Sequence, residues 1–148
     1  MRNIWSAIFN KAVVDSNSNS LSLFDAVEEV TINFSNPEDV SKPKKNIPIN
    51  FSIVSLWHDK DVAGVREFDY LVEMIDPNGQ KLNEFKNRPK FEAGKKRLRT
   101  IVQINGMLAT VEGEYKIVIK YKDRSDNYEI ASEIPLDVRF ILKTDVSK

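Results

Sequence analysis

From Gly113 to Tyr121 the chain reads Gly-Glu-Tyr-Lys-Ile-Val-Ile-Lys-Tyr. Tyr115, Ile117, Ile119 and Tyr121 share one parity. Lys116, Lys120 and Lys122 share the other, interrupted only by Val118. A period of two means a β-strand with one face in a core and one in water. The Gly-x-Tyr entry predicts a sharp corner, where the chain leaves one sheet for the next. A lone strand leaves backbone donors and acceptors without partners, so the rest of the chain has to supply neighbours.

Length permits this. A chain of 148 residues has the size of one domain, 1–148, and buries roughly 70% of its unfolded surface. Lysine plus arginine balance aspartate plus glutamate at 22 each, so no global field steers the chain to nucleic acid or to a membrane. There is no cysteine. Disulfides, thiolate catalysis and cysteine-ligated zinc or iron–sulfur sites are thereby excluded, and a reducing cytoplasm is the expected setting. Asn10 and Lys11 interrupt the apolar N-terminal residues before a signal-peptide core can form. No run approaches the roughly 20 apolar residues of a membrane-spanning helix.

Ile4 to Val14 is apolar on both parities, as in a strand buried on both faces or in a short helix. Asp15 to Ser20 is a polar turn. Leu21 to Phe34 resumes the strand pattern but changes phase near Asp25 to Glu29, which predicts a bulge. Asn36 to Pro48 holds three prolines and Lys42, Lys44 and Lys45; it reads as a crossing between sheets, with Asn36 able to start a helical turn. Ile49 to His58 is a central strand. Phe68 to Ile75 is followed by Asp76-Pro-Asn-Gly79, a hairpin turn. Gln80 to Phe91, with Pro89, reads as a broken edge strand. Arg97 to Asn105 is a strand, Met107 to Glu112 a loop, and Tyr128 to Leu142 the closing strand, with an edge or bulge at Ser132 to Pro135. About eight strands and no amphipathic helix predict an all-β antiparallel sandwich.

Gly113-x-Tyr115-x-Ile117 matches the tyrosine corner of immunoglobulin-like folds, with Trp57 as a core tryptophan against it. Asn19-Ser-Leu-Ser-Leu-Phe24, Gly113-Glu-Tyr115 and Glu133-Ile-Pro-Leu-Asp-Val138 together resemble a bacterial family of cytoplasmic immunoglobulin-like sandwiches known as domains of unknown function. The resemblance implies that fold and a single domain. It implies no activity and no functional residue.

His58-Asp59-Lys60-Asp61 is the one place where histidine and carboxylates cluster. A metal-dependent enzyme using the sole histidine, His58, is the less favoured reading, because one imidazole falls short of the usual shell. No Gly-x-Ser-x-Gly elbow and no phosphate loop is present. Lys81 to Arg99 is the main local anomaly: Lys86, Arg88, Lys90, Lys95, Lys96, Arg97 and Arg99 surround Phe85 and Phe91. Such a stretch fits phosphates with stacked bases, or a lysine-guarded sheet edge. The favoured expectation is a non-enzymatic module, without cofactor, metal or small-molecule ligand. It binds another protein or its own copy through loops (Asn36 to Pro48, His58 to Gly64, Lys81 to Arg99) or an exposed edge strand, with nucleic acid as the alternative partner.

Overall fold

The computed structural model describes residues 1–143. In order come β1 (Arg2–Val14), β2 (Leu21–Ala26), β3 (Glu29–Phe34), α1 (Pro37–Ser41), β4 (Lys45–His58) and β5 (Arg66–Glu67). There follow β6 (Asp69–Ile75), β7 (Lys81–Asn87), β8 (Lys90–Phe91), β9 (Arg97–Ala109), β10 (Gly113–Lys122) and β11 (Glu129–Leu142). One sheet runs β2-β1-β4-β9 and the other β3-β11-β10-β6-β7, while β5 and β8 form a small ribbon. This is an all-β fold of the sandwich class.

The period-two segments become strands because alternation lets each sheet turn one apolar side inward. Phe51, Ile53 and Trp57 of β4 meet Tyr115, Ile117 and Ile119 of β10 in one core cluster. Trp57 is fully buried. Its ring lies 5.1 Å from that of Phe68 and 5.5 Å from that of Tyr121, and its indole N–H donates to Thr100 Oγ1 at 3.1 Å. Its polar atom is therefore satisfied, as a buried tryptophan requires.

The corner at the head of β10 forms. Gly113 adopts φ +136°, and a Cβ there would stand 3.0 Å from Pro77 Cγ. Both facts reserve the position for glycine. The Asp76–Gly79 turn also forms: the amide of Gly79, at φ +82°, donates to the Asp76 carbonyl at 3.0 Å.

Several expectations change. Ile4 to Val14 is strand, not helix. The phase change between Leu21 and Phe34 is a change of sheet rather than a bulge. β2 pairs with β1, and β3 pairs with β11 in the other sheet. That second pairing is parallel, so the sandwich is not wholly antiparallel. Eleven strands replace the expected eight, because this segment splits and the short β5–β8 ribbon was unreadable from so few residues. β9 runs on to Ala109 where a loop was expected, and Gly106 carries the distortion at φ +87°. Opposite it, β4 slips register between Ile47 and Asn50, which accommodates Pro48 without a lost ladder bond. The crossing after Asn36 contains α1, capped by the Asn36 side chain accepting from the Glu38 amide at 3.0 Å.

Candidate functional site

Alternation along β4 sends Phe51, Ile53 and Trp57 inward and Ser52, Val54, Leu56 and His58 outward. Register then writes the outer face row by row. Arg2, His58 and Arg97 form one row. Trp5, Leu56 and Arg99 form the next, followed by Ala7, Val54 and Ile101, and then by Phe9, Ser52 and Gln103. β2 adds Ala26 beside Phe9 and Phe24 beside Lys11. The face is apolar and aromatic: Val54 at its centre is buried, while Ile101 toward one edge is 40% and Phe24 on the hairpin 50% exposed. One end is basic.

The outer face of the five-stranded sheet is built differently. Lys120 pairs with Glu73 at 2.7 Å, Arg88 with Asp69 at 3.1 Å, Lys81 with Glu84 at 2.7 Å and Arg139 with Glu29 at 3.2 Å. Leu71 and Val118 lie buried on that face, where long charged side chains lay their stems over apolar surface. On the four-stranded face, none of Arg2, Lys11, Arg97 and Arg99 has an ion-pair partner among the described residues.

The β1–β2 hairpin curves the apolar face. Arg99 donates to the carbonyl of Asn19, in the hairpin turn, at 2.7 Å. Trp5 shares the row of Arg99, and Val14 would stand roughly 30 Å farther along a straight strand. The hairpin must therefore bend back toward β9, which makes the sheet a trough. The turn itself is stiff. Asp15 Oδ1 accepts from the amides of Ser18 and Asn17 at 2.7 and 2.9 Å and from the Ser18 hydroxyl at 3.0 Å. These bonds, led by that from the Ser18 amide, hold the Asp15 carboxyl below its ordinary value.

At the basic end, partial burial pushes the His58 imidazole below its usual value, and Arg2, Arg97, Lys60 and Lys96 push the same way. A cleft of about 330 Å³ lies among Arg2, Ile4, Leu56, His58 and Arg97. The neighbouring Asp59 turns inward and pairs with Arg66, which also pairs with Asp123. His58 and Asp59 therefore do not converge. Among the described residues, no group of three or more histidine, aspartate or glutamate side chains is placed to hold a metal ion.

The basic stretch is divided by the fold. Lys86 pairs with Glu84 at 3.5 Å, Arg88 with Asp69, and Lys90 with Glu92 at 3.7 Å. Lys95 and Lys96 precede β9, and Arg97 and Arg99 join the apolar face. Phe91 is buried against Phe68, while Phe85 remains 38% exposed. The Asn36 to Pro48 segment borders a cleft of about 470 Å³ that includes Lys42, Lys44 and Lys45. Lys45 is itself buried, donating to the carbonyls of Lys42 and Thr110 at 2.7 Å. Trp57, Gly113, Tyr115 and Ile117 stand in or beside the core. The residues missed from sequence are Trp5, Phe9, Phe24, Leu56 and Ile101; the signal was the double apolar parity of β1 and β4.

No protein-family model matches the chain, and no curated protein matches it. No helix among the described residues is long and apolar enough to cross a membrane.

Proposed function

We propose that the chain is a non-enzymatic protein-binding module working through the outer face of its four-stranded sheet. One observation carries the reading: one outer face is laced with ion pairs, and the other presents Trp5, Phe9, Leu56, Ile101 and Phe24 beside arginines that have no ion-pair partner among the described residues. Covering apolar surface contributes about 25 cal/mol per Å². Contiguous exposed apolar patches mark interaction surfaces, and aromatic residues with arginine are what interfaces enrich. The immunoglobulin-like reading of the sandwich rests on the Tyr115 corner and on buried Trp57; the parallel β3–β11 pair is a departure from it. Kinship with the bacterial family of such domains, and a reducing cytoplasm as the setting, belong to the same proposal.

The test is a photo-reactive residue placed at Phe24 or Ile101 and, separately, at Lys116 on the other outer face, in cells of the source. Discrete adducts from the first two positions and none from Lys116 sustain the reading. Silence at Phe24 and Ile101, or equal adducts from both faces, overturns it.

A second reading has its own support: Arg97 and Arg99 lie on the same sheet face as Trp5 and Phe9, and basic groups with aromatic rings on one face suit single-stranded nucleic acid. It requires binding that falls steeply with salt and is lost on changing Lys95, Lys96, Arg97 and Arg99 to glutamate. Unchanged binding after that reversal eliminates it.

A further inference from the structure

The sheets differ in width, four strands against five. Phe85 of β7 stands opposite Val72 in register and so points toward the sandwich interior, yet it is 38% exposed. It faces a position beyond β9 that holds no strand among the described residues. An apolar slot of about 20 Å³ opens there between Ile104 of β9 and Phe85, with Ile53 and Met74 at its floor.

The two edges beside this slot are unlike. β7 carries Lys81, Glu84 and Lys86 and is followed by Pro89, the usual protections of a sheet edge. β9 has no charged residue from Thr100 to Ala109, and β4 is its one pairing partner among the described residues. The slot closes toward Arg97, where β8 lies against β9 and buries Phe91. Gly106 ends the regular stretch at the other side. From Thr100 to Asn105, β9 offers a free row of backbone donors and acceptors beside an apolar gap.

We infer that a partner's extended segment adds to β9 as a fifth, antiparallel strand, with apolar residues at alternate positions over Phe85 and Ile104 and a carboxylate at its C-terminal end beside Arg99. This rests on the protein-binding reading and names the partner's chemistry. Backbone pairing supplies affinity, and the alternate side chains supply selectivity. Lys95, Lys96, Arg97 and Arg99 cluster at that end without a carboxylate partner among the described residues, so an acidic residue is the complement. A second copy does not fit. Antiparallel β9–β9 pairing puts both five-stranded sheets on one side, and β7, projecting past β9, meets the second copy's own sheet.

The experiment pans random octapeptides displayed on phage against the full chain, then follows one synthesised winner by amide exchange and NMR. Winners should alternate apolar and polar residues and end in an acid. Binding should slow exchange at those β9 amides from Thr100 to Asn105 not already bonded to β4, and shift the Phe85 ring. Arg99→Glu should weaken an acid-ended peptide by about fivefold and restore affinity for the same peptide ending in lysine. Phe85→Ser, with its fold verified by thermal melting, should weaken both. No selected peptide, protection elsewhere, or indifference to Arg99→Glu overturns strand addition, while adducts from Phe24 and Ile101 would still stand. A dimer by light scattering that protects these same amides overturns it in favour of self-pairing.

Discussion

The Tyr115 hydroxyl donates to the Val111 carbonyl at 2.7 Å and accepts from the Thr110 amide at 2.9 Å. One side chain thus satisfies two backbone groups of the corner that joins β9 to β10. Tyr115→Phe keeps the ring and strands both groups. The expected loss is about 1–3 kcal/mol, read as a lower urea midpoint at unchanged slope.

Arg66 lies between Asp59 and Asp123, and all three side chains are at most 14% exposed. Replacing Arg66 with alanine leaves Asp123 without its cation and Asp59 with the Met1 ammonium alone, 3.6 Å away. Breaking a buried pair from one side costs about 3–5 kcal/mol, well beyond Tyr115→Phe. Chemical denaturation of the two variants side by side checks the order.

Asp76 sets the acid limit of the hairpin corner. Burial acts to raise its carboxyl, but hydrogen bonds from the Thr110 hydroxyl and from the amides of Gln80 and Asn78 outweigh it and hold the group below 3.8. The folded value is depressed, so its contribution is complete above the unfolded value and disappears as pH falls through the folded one. Asp76→Asn should flatten that acid limb while leaving the neutral-pH slope unchanged, as followed by thermal melts from neutral pH downward.

The cations around His58 should be separable by titration. Arg97→Gln removes one of the charges that lower the imidazole, so its midpoint should climb toward 6.5. Histidine NMR through the titration reads this. An unmoved midpoint would show that Arg97 contributes nothing to the field at this end of the sheet.

Much of the fold is legible in the residues. The alternation of β10, the Asp76–Gly79 turn and the tyrosine corner are local chemistry, and each forms where its residues stand. The segment from Leu21 to Phe34 was not, because a bulge and a change of sheet both invert parity and leave the same trace. The double parity of Ile4 to Val14 was visible, but apolar residues do not record whether a second layer covers them. The division of the basic stretch was hidden for a related reason. Its charges are adjacent in sequence, yet alternation and pairing with Asp69 and Glu84 distribute them over different surfaces. The free edge of β9 depends on strand order, which no window of sequence contains.

The pairing order also has a consequence for synthesis. Among the described residues β3 is bonded only to β11, far later in the chain, and β10, at the centre of its sheet, has β11 on one side. Neither β3 nor the far side of β10 finds its ladder until that strand leaves the ribosome. Until then the nascent chain carries β3 as an unpaired, apolar strand, a stage at which aggregation competes with folding. In this sheet an early strand waits for a late one.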